Sequence, residues 1–298
     1  VISVAKFLMH ISEINIYPIK SLKGISVDSV LVESRGLQYD RRWMLTDGNG
    51  KFMTQREFPR MATIGVAVES GQLKVESDEG VMEIPFEPDR GTQKQVVIWQ
   101  SVCDGLVYDG EVSEWFSDVL ATKCQLVFMP DETRRSVNER FDRGDDIVSF
   151  ADGYPLLVIS EASLADLNER LEEKRQAGML AAPVPMNRFR PNIVVSGSAA
   201  FEEDSWDKIR VGEALFRGTK PCERCVITTV EQQKGEFDGK EPLKTLATYR
   251  LAKTVMPDRV DSLGVPPNAV LFGQNLIAET PGATINVGNS VEVIESHK

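Results

Sequence analysis

Pro221-Cys222-Glu223-Arg224-Cys225 holds the side chains with the most chemistry to offer in this 298-residue chain. Two thiols three residues apart are followed by the β-branched run Val226-Ile227-Thr228-Thr229-Val230, which predicts a thiolate at the entry to a strand. Four chemistries fit. A structural zinc site requires two more ligands, and Cys103, Cys124, His10 and His297 supply no second pair at a suitable spacing. A dithiol redox centre expects the pair to open a helix, whereas 226–230 reads as strand. Two packed core cysteines are the plainest reading. The fourth is a lone Cys225 thiolate that binds a soft metal or carries a sulfur.

The chain has only His10 and His297, both near its ends. That leaves a Ser-His-Asp triad, a Cys-His nucleophile and a two-histidine metal site without their histidine. Lys20, Arg41 and Arg190 lie at strand ends or turns, where side chains from separate strands can converge on one anionic ligand through charge-assisted hydrogen bonds.

The elements that must position these groups are mostly short strands. Ile14 and Ile16 alternate with polar neighbours over 12–20, 27–33 reads as the next strand, and Asp47-Gly48-Asn49-Gly50 predicts a hairpin joining 40–46 to 51–54. Further strands are expected near 62–69, 72–76, 81–86 and 95–99. A short helix follows over 113–120 behind a Ser113 cap. The polar segment with Arg134, Arg135, Arg140, Arg143 and Asp142, Asp145, Asp146 reads as a mobile loop and a domain boundary. A strand at 154–159 leads to a helix capped by Ser160 or Ser163, with Leu164, Leu167 and Leu171 on one face and an end near Gly178. A strand at 193–195 and a short helix over 241–251 complete the pattern. The class is mainly β with short helices (α+β), barrel-like rather than doubly wound.

A net charge of −11 argues against nucleic acid as a stable partner. No apolar run approaches the roughly 18 to 20 residues of a membrane span, so no membrane association is expected. Val1 to Leu8, apolar apart from Lys6 and Ser3, faintly resemble a signal peptide without a cleavage site, and Met9 is a candidate start. Four cysteines in a chain of this length point to a reducing compartment, the cytoplasm.

Seven motifs in order resemble the MOSC proteins, especially the bacterial YcbX type and the mitochondrial amidoxime-reducing components. They are Tyr17-Pro18-Ile19-Lys20-Ser21-Leu22-Lys23-Gly24, Asp40-Arg41-Arg42-Trp43, Phe150-Ala151-Asp152-Gly153-Tyr154-Pro155, Ser160-Glu161-Ala162-Ser163-Leu164, Phe189-Arg190-Pro191-Asn192, the cysteine motif, and Phe272-Gly273-Gln274-Asn275. The resemblance implies an N-terminal MOSC-type β-barrel domain over 9–130, a MOSC β-barrel domain over 131–298, and a molybdenum cofactor (molybdopterin) between them. It makes Cys225 the catalytic metal ligand and leaves Cys222 to packing. Lys20, Ser21, Arg41 and Arg190 fall on positions that hold the pterin's phosphate and polar edge. Asp152-Gly153-Tyr154 occupies a segment of hydroxyl-bearing cofactor contacts, where Gly153 leaves only backbone N–H groups, and Asp152 is a candidate proton donor. Arg134, Arg135 and Arg140 are candidates for the entrance or for contact with an electron donor.

The implied activity is two-electron reduction of N-hydroxylated compounds, namely hydroxylamino-purines, hydroxylamines and amidoximes, as a detoxification. The alternative is a sulfur or molybdenum-cofactor carrier using Cys225. No four-cysteine set remains for an iron–sulfur cluster, so a separate reductase is expected to deliver electrons.

Overall fold

Ile11, Ile14 and Ile16 are all buried in the first strand, His10–Ile16, although their spacing breaks period two. The pairing with Ile193–Ser196 shifts register between Ile11 and Glu13, and this bulge keeps all three isoleucines on the core face. A computed structural model of the chain describes residues 8–108 and 110–297; the signal-like reading of residues 1–7 lies outside them.

The largest sheet has eight strands in the order Ile25–Ser26, His10–Ile16, Ile193–Ser196, Leu156–Ser160, Val270–Ala278, Ala214–Arg224, Trp206–Val211 and Val291–Ser296. Its one parallel pairing joins Leu156–Ser160 to Ile193–Ser196 across the helix Glu161–Gln176. Ser160 caps that helix by accepting from the Ser163 backbone N–H at 3.0 Å. A four-stranded sheet (Trp43–Thr46, Gln125–Phe128, Ser101–Val107, Thr92–Ile98) and a three-stranded one (Gly65–Glu69, Gln72–Ser77, Gly80–Pro85) lie in the N-terminal half. Trp206, Phe216 and Leu276 centre one core with the three isoleucines, while Trp43, Met61 and Phe116 centre another.

The mainly β class with short helices holds. Among the described residues, however, the sheets run from edge to edge and do not close into barrels. Val226–Thr229 is a 3-10 turn, not a strand, and Cys225 stands at the exit of the strand Ala214–Arg224. The helix expected at Ser113 begins at Gly110, and the Ser113 hydroxyl donates to the Tyr108 carbonyl instead of capping. The region 241–251 forms only the short helix Leu243–Leu246. No helix among the described residues is long and apolar enough to cross a membrane.

Candidate metal and cofactor site

Cys225 leaves its strand on a turn made by threonines. The Thr228 N–H and hydroxyl both donate to the Cys225 carbonyl, at 3.1 and 3.0 Å, and the Thr229 hydroxyl donates to the Val226 carbonyl at 2.8 Å. The carbonyls of Cys225 and Val226 are thus satisfied locally, and the thiol lines a half-open cleft with Lys20, Arg41 and Arg190. Arg56 Nη2 lies 3.2 Å from Cys225 Sγ and 3.7 Å from Asp152. Among the described residues no three His, Cys, Asp or Glu side chains gather as a ligand set. A closed zinc site with four protein ligands is therefore not formed among the described residues.

Two guanidinium groups of the cleft pack on the ring of Tyr17. Arg41 Cζ is 4.3 Å from the ring centroid and Arg190 Cζ is 4.2 Å from it. Arg41 is fixed by Asp40 at 2.6 Å and Asn192 at 2.9 Å. Burial pushes the Tyr17 phenol up to about 12, although Arg190 and Arg41 oppose the shift. Burial also lowers Arg190 to about 10, which leaves it charged at neutral pH.

Lys20 is buried and donates to the Phe150 carbonyl at 2.8 Å and to Asp152 Oδ1 at 2.5 Å. Burial lowers its ammonium to about 8, with Asp152 acting against the shift. Burial tends to raise the Asp152 carboxyl, but Lys20 and then Arg56 outweigh it and hold the group well below the usual carboxylate range. Half of the Asp152 side chain remains exposed to solvent, so the ion pair, more than burial, sets that direction.

The backbone adds a second signature. Ser21, Arg41 and Arg190 have φ of 69°, 50° and 55°, a left-handed conformation disfavoured for residues with a side chain, and all three line the cleft. Among the residues that line it, several buried polar atoms lack a protein partner: Arg190 Nη2, Arg188 Nε and Nη1, Arg224 Nε and the Tyr154 hydroxyl. Unpaired buried donors of this kind are costly unless a ligand satisfies them. Six cations, Lys20, Arg41, Arg56, Arg188, Arg190 and Arg224, face the carboxylates Asp152 and Glu223 across one cleft, in a chain whose net charge is −11. The arrangement is built for an anion.

Two family descriptions fit the chain: "MOSC N-terminal beta barrel domain" over residues 8–123 and "MOSC domain" over 145–292. Mouse mitochondrial amidoxime-reducing component 1 is 35% identical over 298 residues, covering 95% of this chain and 82% of that protein. The chain belongs to the MOSC family. Human mitochondrial amidoxime-reducing component 1 is 32% identical, with the same coverage. Rice molybdenum cofactor sulfurase is 35% identical over 267 residues, and this MOSC chain spans 31% of that longer protein.

The residues singled out from the MOSC motifs, Lys20, Ser21, Arg41, Asp152, Gly153, Tyr154, Arg190 and Cys225, all lie on the one cleft. At Gly153 an added Cβ would meet no atom within 4 Å, so the segment borders open space. Cys222 also lines the cleft and packs against the Phe189–Phe272 cluster, with Arg224 Nη1 at 2.9 Å from its sulfur. Lys20 and Arg56 hold the Asp152 carboxyl well below the usual carboxylate range, which disfavours it as a proton donor near neutral pH. Arg134 and Arg140 are away from the cleft: Arg134 is exposed beside Asp145, and Arg140 donates to the carbonyls of Asp261 and Ser262. Arg135 is buried and pins the 149–152 backbone through the carbonyls of Ser149, Ala151 and Asp152, so its segment is anchored rather than free. Arg224 sits inside the cysteine motif and Arg188 directly precedes Phe189-Arg190-Pro191-Asn192, beside residues already chosen. Arg56 had no such signal, since Thr54-Gln55-Arg56-Glu57 reads as an ordinary polar loop.

Proposed function

We propose that the cleft binds a molybdenum cofactor through the Cys225 thiolate and that the protein reduces N-hydroxylated compounds, including amidoximes, hydroxylamines and hydroxylamino-purines. The observation that carries this reading is the convergence of the Cys225 thiol with guanidinium donors from Arg41, Arg56, Arg188 and Arg190 on one cleft. A pterin phosphate satisfies such donors, and a soft metal suits a lone thiolate. The names of the mouse and human relatives support the same chemistry.

When bound, the group supplies a two-electron redox centre. The chain's own residues do the rest. Lys20, Arg41 and Arg190 neutralise the anionic end, Ser21 and the backbone at Gly153 offer polar contacts, and Asp152 holds Lys20 at the cleft. Reduction of R–NH–OH to R–NH2 and water consumes two electrons and two protons. A separate reductase delivers the electrons, and Lys20 Nζ holds one of the protons. The rice relative supports a second reading, in which Cys225 handles sulfur or cofactor in transit. We propose 9–130 and 131–298 as the two domains, with the first strand paired into the second.

The test is metal content on protein expressed with molybdate. Near-stoichiometric molybdenum in wild type and Cys222→Ala, lost in Cys225→Ala, together with amidoxime turnover when a reductase is added, is the expected result. Zinc that depends on both cysteines, without molybdenum, overturns the proposal. Loading without turnover selects the carrier reading.

A further inference from the structure

Thr92–Ile98 and Ser101–Val107 pair through Ile98 and Ser101, so their hairpin turns on Trp99 and Gln100 alone. Trp99 takes φ 56°, where a two-residue loop normally uses glycine or asparagine and a bulky aromatic is strained. The strain is not offset by full burial, because half of the residue is exposed (50%). A costly conformation that keeps a large aromatic ring half in water needs another reason.

The ring is tied to the cleft by three contacts. Arg56 Cζ sits 4.7 Å from its centroid, and the same guanidinium reaches Cys225 Sγ at 3.2 Å. Phe52 packs against it at 5.1 Å, and Lys20 Nζ lies 5.4 Å from the Phe52 ring. The indole N–H faces the Asp152 carboxylate. The cleft lining combines six cations, which suit an anionic cofactor, with apolar side chains such as Phe189 and Ile227. Outside the lining, exposed apolar surface continues at Trp99, which Arg56 links to the thiol, and at Val226, 41% exposed and next in sequence to Cys225.

We infer that Trp99 is a specificity-determining residue: its exposed indole surface stacks the body of a flat aromatic or heteroaromatic N-hydroxylated substrate, while the N–OH group points toward Cys225. The inference rests on the reductase reading and deepens it by naming a residue that selects among its substrates. It accounts for the half-exposed ring, for its strained hairpin, and for its link to the thiol through Arg56. A small aliphatic hydroxylamine has no face to stack and gains nothing from the indole.

The experiment compares an aryl amidoxime with N-methylhydroxylamine on molybdenum-loaded wild type, Trp99→Ala and Trp99→Phe, with electrons from an added reductase. Any disturbance of Arg56 in Trp99→Ala lowers both activities, so the quantity read is the ratio of the two kcat/KM values. Losing the stacking surface should cut the aryl preference about tenfold, mostly through KM, and Trp99→Phe should keep it within about threefold. Binding is read separately from turnover in the unloaded protein: the aryl amidoxime should quench tryptophan fluorescence in wild type and lose most of that quenching in Trp99→Phe. Turnover of both compounds with an unmoved ratio overturns the role of Trp99 and leaves the reductase reading intact. Quenching that persists in Trp99→Phe also overturns it. No turnover of either compound by loaded wild type overturns the reductase reading and the inference with it.

Discussion

Lys20 is the residue at which the electrostatics of the cleft become measurable. Burial brings its ammonium from an ordinary 10.5 down to about 8, so between those values the unfolded chain holds a proton that the folded chain has released. Stability contributed by this group therefore rises with pH from about 8 to 10.5, and the burden of the buried charge is fully present below 8. Asp152 behaves in the opposite sense: its folded value is depressed, so its stabilising effect is present above its unfolded value and is lost as pH falls. Urea midpoints of unloaded protein at pH 8 and pH 10 should diverge more in wild type than in Lys20→Met, where the Lys20 contribution is absent. Equal divergence in the two proteins would mean that Lys20 is not held in the recess seen here. At this scale the sequence was informative wherever a residue sat inside a motif, as Lys20, Ser21, Arg41, Arg190 and Cys225 do. Arg56 and Trp99 were hidden because their importance is tertiary: one lies in a polar loop, the other at the end of what reads as a plain strand, and only folding carries them to the thiol.

Among the elements, the turn after Cys225 shows where local propensity misleads. Val226-Ile227-Thr228-Thr229-Val230 is rich in β-branched residues and reads as a strand, yet its two threonine hydroxyls bond back to the carbonyls of Cys225 and Val226, three residues earlier in each case. Side chains that capture nearby backbone in this way compete with a sheet ladder, and here they win. The turn matters because it sets the direction in which the thiol leaves the strand. Thr228→Val keeps the shape and removes one hydrogen bond, which should cost about 1 kcal/mol and lower the thermal midpoint by about 2 °C. Thr228→Ser restores the hydroxyl and should recover most of that loss. A Val variant as stable as wild type would show that the backbone alone holds the turn. The helix Glu161–Gln176 was legible for the opposite reason: its serine cap, its leucine spacing and its tertiary packing agree. The missed strands Ser101–Val107 and Gln125–Phe128 lack that agreement, since Asp104, Gly105 and Gln125 interrupt their apolar pattern and neighbouring strands supply the burial.

For the whole molecule, the two family regions are not independent bodies. The first strand, His10–Ile16, is inserted into the eight-stranded sheet beside Ile193–Ser196, and Ser29–Glu33 pairs with Thr284–Asn286. The cleft is divided in the same way, with Lys20, Arg41 and Arg56 from one half and Asp152, Arg190 and Cys225 from the other. The alternation of short strands reveals the β-rich class, but it says nothing about a partner strand nearly two hundred residues away. Such exchange makes loss of either half expose the other's core. Unfolding should therefore be one cooperative transition, with a single calorimetric peak whose van't Hoff and calorimetric enthalpies agree. Ile14 is fully buried at this junction, so Ile14→Ala should cost about 2–5 kcal/mol and move that whole transition downward. The shift should reach Trp43 and Trp206 fluorescence alike, although those residues centre different cores. Two peaks, with only the Trp206 side displaced by Ile14→Ala, would show that the halves fold separately and that the cleft forms by docking rather than by shared folding.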